Sequence, residues 1–419
     1  MDSEVSILGV LVAMVLTIIL IFRRINPTYA MIAGALAGGI VGGVELATTL
    51  DFMMEGAQLL TPAVLRILAA GVLVGVLIES GAANVIANTI VTKMGETRAL
   101  LAITLSTLVL TAVGVFIAAA VITVAPIALM IAKRTKVSRL SILIAVVCGA
   151  RAGNVMSPNP NTIAAAESFS LPLTKVMFAG LGPAVVGAVV TYLIAKKINN
   201  KGSKVKEIRE EKTDEMGQPS FLAAISGPLF AIFILSLQPL LDIKVDSLLA
   251  LPAGGFFGVI VMRKTKEVKS YMSSGLQKMS GISILILGTG TLAGIIVNSS
   301  LNNMIMSGLN AFHLPISFIA PLSGSFMSLA TASATSSVAI SSNVFGELLL
   351  ENGVSALASA TMINAGAVAF DYLPHGPLFH ISRDSFFMDM KERLKALPYE
   401  TLIGIIVVIV STIIYGGLL

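Results

Sequence analysis

The run Gly149-Ala-Arg-Ala-Gly-Asn-Val-Met-Ser-Pro-Asn-Pro-Asn-Thr162 interrupts otherwise apolar sequence. Pro158 and Pro160 remove backbone donors and break a helix. The glycines and asparagines allow unwound backbone. Lipid does not accept backbone of this kind, so the run must face protein or a watery cavity. A half-helix starting near Thr162 aims free N–H groups at the break, which suits an anion. Asn154, Ser157, Asn159, Asn161 and Thr162 add neutral donors. Arg151 is a charge at membrane depth, where ionisable groups are expensive and are paired or functional. Its fork suits a carboxylate. Two readings stay open: direct contact with a substrate, or an internal ion pair with Glu79 or Glu167.

The chain around this run has 419 residues, 55% of them hydrophobic and 12% charged. Its mean hydropathy is +0.91. A soluble domain is about one quarter charged. The shortage excludes a disordered chain, a nucleic-acid binder and an ordinary cytosolic enzyme, and predicts a protein solvated by lipid. The single Cys148 excludes an internal disulfide and a Cys-based metal site, and reads as a packed small hydrophobe. The net charge of +5 comes from Lys and Arg in short loops, the positive-inside pattern, and is no sign of nucleic acid. Val5–Phe22 follows an acidic start and lacks an A-x-A site, so it reads as a transmembrane helix, with no cleavable signal peptide expected.

A membrane span needs about 20 mainly apolar residues. Spans are predicted near Val5–Phe22, Pro27–Val44, Pro62–Ser80, Ser138–Gly153 and Lys175–Ala195. A second set lies near Phe221–Leu240, Ser247–Met262, Gly281–Val297, Ser355–Phe370 and Thr401–Leu418. Two longer stretches, Ala99–Ala132 and Pro315–Leu350, read either as two helices or as a hairpin that enters and leaves on one side. Placing all basic loops in the cytoplasm puts the N-terminus and the C-terminus outside. The first long stretch then opens from the cytoplasm and the second from outside.

The two sets follow the same order. Gly75, Glu79, Ser80 and Asn84 are spaced like Gly294, Asn298, Ser299 and Asn303, with a constant offset of 219. Residues 1–198 and 221–419 thus read as two repeats, joined by a charged, plainly soluble and mobile linker, 199–220. An odd number of crossings per half makes the repeats inverted. Inverted repeats with broken helices at mid-membrane mark secondary transporters.

The second half has its own irregular places. Its hairpin tip carries Thr331, Ser333, Thr335, Ser336 and Ser337 in Ala330–Ser342. These hydroxyls suit a polyol or carboxylate site; small residues also let membrane helices pack closely. The matching tip, Thr111–Ala120, is more apolar. The second break spans Asn364 to Pro377. Asp371 and His375 are i, i+4 and share a face of a helix, which suits proton coupling because His titrates near physiological pH. The plainer reading is that Asp371 caps a half-helix and His375 bonds to it. Sodium is the rival ion, for which Asp371, Asn364 and backbone carbonyls are suitable ligands. Glu79 is a further ion-coupling candidate or an interfacial residue. Glu167 reads similarly. Arg66 is expected to snorkel, and His313 and His380 to be exposed. No P-loop, no His-Glu-x-x-His and no nucleophile with base and acid partners occurs. Gly288–Gly294 reads as helix packing rather than a dinucleotide site.

Ser157-Pro-Asn-Pro-Asn-Thr-Ile-Ala-Ala-Ala166 resembles the Pro-Pro-His-Pro-Gly-Pro-x-Ala-Ala-Ala segment of the gluconate:proton symporter (GntP-type) permeases. His380-Ile-Ser-Arg-Asp-Ser-Phe-Phe, with Glu400-Thr-Leu-Ile-Gly404, is similar to a C-terminal segment of that family. Leu77-Ile-Glu-Ser-Gly81 is similar to a third motif. Asn159 stands where the family has His, and Asn161-Thr162 where it has Gly-Pro. The family lies in the ion-transporter superfamily, which also holds sodium-dicarboxylate carriers. The resemblance implies two re-entrant hairpins, a homodimer and elevator-type movement.

Together these readings predict an all-α polytopic membrane protein with two inverted repeats, each of about five transmembrane helices plus a re-entrant hairpin. The function expected is import of a small organic anion, a sugar acid or hydroxy-carboxylate, by proton symport in the cytoplasmic membrane. Arg151, Asn154, Ser157, Asn159, Asn161, Thr162, Thr331, Ser333, Thr335, Ser336 and Ser337 are the expected substrate ligands. Asp371, His375, Asn364 and Glu79 are the expected ion-coupling residues. No cofactor, metal or nucleic acid is expected. The alternatives are a sodium-coupled di- or tricarboxylate carrier, an uncoupled anion channel and an intramembrane enzyme.

Overall fold

A computed structural model describes residues 4–23, 25–205, 217–241, 243, 245–300, 315–374 and 376–417. Every regular element among them is helical, apart from two isolated bridges, Val5 with Ser299 and Ser138 with Lys204. Five helical stretches are long and apolar enough to cross a membrane: Thr61–Glu79, Ile117–Thr135, Leu173–Lys197, Thr265–Val297 and Met390–Tyr415. Large apolar side chains such as Leu8, Leu65, Val185 and Leu249 face outward, as lipid solvation requires.

The first half runs α1 (Ile7–Phe22), α2 (Pro27–Val41), α3 (Leu46–Leu59), α4 (Thr61–Glu79) and α5 (Ala82–Met94). It continues with α6 (Ala99–Ala112), α7 (Ile117–Thr135), α8 (Arg139–Asn154), α9 (Pro160–Ser168), α10 (Leu173–Ala179) and α11 (Leu181–Lys197). The second half runs α12 (Phe221–Leu241), α13 (Ser247–Val261), α14 (Val268–Val297), α15 (Ile319–Thr331) and α16 (Ala334–Glu351). It ends with α17 (Ala356–Ala367), α18 (Pro377–Ser385), α19 (Met390–Leu394) and α20 (Leu397–Tyr415).

Element order recurs between the halves. The short helices α9 and α18 have nine residues each and open on a proline in the first turn. Proline fits there because its missing N–H has no intrahelical partner at that place. Both long stretches are hairpins of two helices. The first turns at Val113–Phe116, with Gly114 at φ 107°; the second turns at Ala332–Ser333, with Ala332 at φ 46°. Each hairpin packs on the broken helix of its own half, α6 and α7 on α8, α15 and α16 on α17. Each also reaches across: α7 touches α18, and α16 touches α9. The two breaks and the two hairpin tips therefore meet in one region.

Three expectations need correction. Two helices, α3 and α5, lie outside the predicted spans, because Asp51 and Glu55 in one and Asn84, Asn88 and Lys93 in the other dilute the apolar signal. The span expected from Gly281 begins at Val268 and runs 30 residues. The linker is not free at its start: Arg139 N donates to Ser203 O at 2.8 Å and Lys204 Nζ to Lys136 O at 2.6 Å.

The halves are locked by close helix contacts. α14 packs on α2, α3 and α4. Gly290 and Gly294 lie against Gly56, and Gly275 against Gly71 and Gly75, so that any Cβ there would strike backbone. The run Gly288–Gly294 is thus part of a helix interface, the small-residue packing of membrane helices.

Candidate functional site

Break one, Val155–Asn159, joins α8 to α9. Break two, Val368–Gly376, joins α17 to α18. Asn159 shapes the first. Its Oδ1 accepts from Asn161 N at 2.8 Å and from Thr162 N at 3.0 Å, capping α9. Its Nδ2 donates to Asn154 Oδ1 at 2.7 Å and to Asn154 O. Gly376 holds the matching cap position in break two and offers no side-chain acceptor. A Cβ on Gly376 would come within 2.6 Å of Ala332 Cβ and O, so only glycine lets the second hairpin tip close on α18.

The breaks are stitched together. Asn364 Nδ2 donates to Val155 O at 3.1 Å. Thr335, on the second hairpin, donates to Asn161 Oδ1. Arg151 Nε lies 3.0 Å from Asp371 Oδ1, and both side chains are only 4% exposed. The guanidinium also donates to Val368 O and, at 3.4 Å, to Glu400 O, and stands 4.6 Å from the centre of the Tyr372 ring. Partners on all sides are what a buried charge needs.

A cavity of about 150 Å³ lies where these parts converge. Phe116–Ala118 of the first tip and Ala332–Thr335 of the second form two of its walls. Asn154, Pro160 and Asn161 from break one, and Asp371, Pro377 and Leu378 from break two, form the others. Arg151 is absent from the lining and stands behind Asp371 as its counter-ion. Several buried polar atoms of the breaks and the second hairpin have no hydrogen-bond partner: Asn154 Nδ2, Ser157 Oγ, Ser336 Oγ and Asn364 Oδ1. Unpaired buried polar groups cost free energy, so the Asn154 amide on the cavity wall suits a ligand that pairs with it.

The model of the family described as GntP family permease matches residues 5–253 and 248–416 of this sequence. The chain belongs to the GntP permease family. It is 54% identical over 414 residues to an uncharacterized transporter of Haemophilus influenzae, covering 99% of each chain. It is 21% identical to a high-affinity gluconate transporter of Escherichia coli, over 93% of this chain and 95% of that one. Its fold is that of the YdaH transporter of Alcanivorax borkumensis, with a TM-score of 0.66 over 88% of this chain and 87% of that one, at 15% identity. The protein is a multi-pass membrane permease and not an enzyme.

Within this GntP-family chain the expected site residues divide. Asn154, Asn161, Ser333, Thr335 and Asp371 line the cavity. Asn159 and Thr162 serve the α9 cap, where the N–H groups expected to be free are already taken. Ser157 and Ser336 are buried without partners. Ser337 donates to Gly324 O and Thr331 to Met327 O, both inside the hairpin. Glu79 is elsewhere, bound by Ser274 at 2.7 Å and Lys278 at 3.0 Å. His375 and His313 lie outside the described residues.

Other expectations change as well. Residues 371–374 form turns, so Asp371 is not on a helical face. The partner of Arg151 is Asp371, not Glu79 or Glu167. Arg66 does not snorkel: it holds Glu167 and Asp246, each at 2.7 Å. His380 is half-buried in α18, its Nε2 2.9 Å from Pro374 O. Sequence reasoning passed over Arg393 and Glu400. Fully buried, they form a two-bond pair at 2.7 and 2.9 Å that ties α19 to α20, and Ser382 accepts a third bond from Arg393. Their i, i+7 spacing at a predicted membrane entry was the available signal. Among the described residues no three His, Cys, Asp or Glu side chains gather as a metal site.

Proposed function

We propose that this protein imports a small organic anion, a gluconate-like sugar acid or hydroxy-carboxylate, by proton symport across the cytoplasmic membrane. The reading rests on one observation above all. An acidic side chain, Asp371, faces a cavity built from both breaks and both hairpin tips, with its counter-ion Arg151 behind it. Bringing an anion beside an ionised Asp371 sets like charges together in a low dielectric, which favours the protonated acid. Anion and proton then enter as a pair, and Arg151 keeps the vacated charge balance on the protein side. Relatives named as gluconate transporters support the substrate class.

The architecture we propose has two inverted repeats, residues 1–198 and 221–419, joined by a cytoplasmic linker, 199–220. Both termini are outside, and the carrier works as a homodimer in lipid. The hairpins α6–α7 and α15–α16, with α8, α9, α17 and α18, form the moving body of an elevator, and the remaining helices form its frame. The repeated element order and the cross-contacts of the hairpins support this.

A second reading is sodium coupling. Ser157 Oγ and Asn364 Oδ1 are hard oxygen ligands without hydrogen-bond partners, and the Asp371 carboxylate is a third hard oxygen ligand. Purified carrier in proteoliposomes separates the readings. Proton symport gives gluconate accumulation under an inward pH gradient, with or without sodium. A strict sodium requirement overturns proton coupling, and gradient-independent flux without accumulation overturns both in favour of a channel.

A further inference from the structure

The two helix starts that face each other across the cavity are chemically unequal. In α9 the N–H groups of Asn161 and Thr162 are taken by Asn159 Oδ1. In α18 the first helical residue is Pro377, which has no N–H, and Gly376 provides no capping side chain. No side chain of the cap residue takes the N–H groups of Leu378 and Phe379, which lie at the positive end of the helix. Pro377 and Leu378 line the cavity.

A second observation points at the same place. Asn154 is 3% exposed and lines that cavity, and its Nδ2 has no partner. Its amide orientation is fixed by a chain of hydrogen-bond polarity. Two backbone N–H groups require Asn159 to present Oδ1 to α9. Asn159 must then present Nδ2 to its other side, where Asn154 Oδ1 accepts at 2.7 Å. That leaves Asn154 with only its NH₂ to offer the cavity. The donors on both walls thus favour an acceptor with two oxygens.

We propose that the carboxylate of the transported anion binds between Asn154 Nδ2 and the N-terminus of α18. Asn159 is the positioning residue that turns the Asn154 amide toward it. This rests on the organic-anion reading above and adds where the carboxylate sits and what orients its donors. Asn159→Asp is the informative change. The aspartate still caps α9, but its second oxygen meets both Asn154 O and Asn154 Oδ1, of which only the side-chain oxygen can turn away. Asn154 must turn over, and it then presents an acceptor to the substrate carboxylate.

The test uses the full-length carrier in proteoliposomes, with gluconate and its uncharged analogue gluconamide as probes. Wild type binds gluconate in preference to gluconamide. Asn154→Ala loses a charge-assisted hydrogen bond, so KM for gluconate rises about 10-fold or more while Vmax changes little. Asn159→Asp raises KM by a similar factor; its melting temperature falls, because the second carboxylate oxygen also meets Asn154 O, so the double variant rather than the midpoint reads the positioning role. In an Asn154→Ala background Asn159→Asp adds less than about 2-fold, because it acts through Asn154. An unchanged KM in Asn154→Ala, or equal wild-type affinity for gluconate and gluconamide, overturns the subsite. A full additional KM increase from Asn159→Asp in the double variant overturns the positioning role. Failure of wild type to bind either probe, with the protein folded, instead removes the substrate reading, and the subsite falls with it.

Discussion

Asp371→Asn separates what the buried ion pair does for stability from what it does for transport. The amide keeps the side-chain shape and removes its charge. Arg151 is then left at 4% side-chain exposure with no counter-ion. Removing one partner of a buried pair costs about 3–5 kcal/mol. Here the carbonyls of Val368 and Glu400 and the Tyr372 ring remain on Arg151. A desolvated cation over an aromatic ring is worth about 2 kcal/mol, which puts the expected cost at the lower bound, about 3 kcal/mol. At about 2 °C per kcal/mol for a large chain, the unfolding midpoint falls by roughly 6 °C. Replacing both charges, Arg151→Met with Asp371→Leu, leaves no orphan, so the double variant melts above Asp371→Asn. In proteoliposomes Asp371→Asn still exchanges gluconate for labelled gluconate but does not accumulate it under a pH gradient. Thermal scanning of the purified variants and paired exchange and gradient assays check both parts. An unchanged midpoint refutes the dependence of Arg151 on Asp371. Intact gradient-driven accumulation refutes proton carriage at this carboxylate.

Glu400→Gln strands the fully buried Arg393, so the yield of folded carrier should fall sharply, with a stability loss of about 3–5 kcal/mol on denaturation. Gly404→Ala places a Cβ 2.8 Å from Ala369 O and 3.0 Å from Arg151 Nη2, which costs about 1–3 kcal/mol by overpacking and lowers transport by displacing the guanidinium. Gly281→Ala meets no atom within 4 Å and removes backbone freedom inside a helix, so the midpoint should rise, by about 0.5–1 kcal/mol in stability. Burial raises the Asp246 carboxyl, but the hydrogen bonds and charge of Arg66, with the Leu248 N–H, outweigh this and hold it below its usual range. A depressed folded pKa gives stability that is present above the unfolded value and lost as pH falls through the folded one. The Arg66–Asp246 link is therefore intact throughout about pH 5–8, and Asp246→Asn should leave the pH profile of transport in that window unshifted.

Much of this arrangement is written locally in the chain. Pro158 and Pro160 announce the first break, and Pro374 and Pro377 the second. Hydroxyl residues at 330–342 announce the second hairpin tip, whereas the first, at 111–120, is more apolar and marked by Gly114. Arg151 and Asp371 were both legible as unusual charges, but not as each other's partner. Their positions, 220 residues apart, nearly match the repeat offset, yet pairing depends on how the two breaks face each other in space. The polarity of the Asn154–Asn159 pair was not legible either. An asparagine is both donor and acceptor, and only the cap on α9 decides which end of each amide is spent. The helices α3 and α5 were hidden for a different reason: both are too short and too polar to register as spans.

The uneven treatment of one position has a mechanical consequence. In the first half α3 ends at Leu59 and α4 restarts at Thr61-Pro62, so two rods meet at a joint. In the second half the matching place is Gly281, midway along the unbroken 30-residue α14. Proline interrupts a helix, whereas a lone glycine only softens it. The unbroken α14 packs along both α3 and α4, through Gly290 and Gly294 on Gly56 and Gly275 on Gly71 and Gly75, so it splints the joint at Pro62: the continuous rod of one half holds the angle between the two short rods of the other.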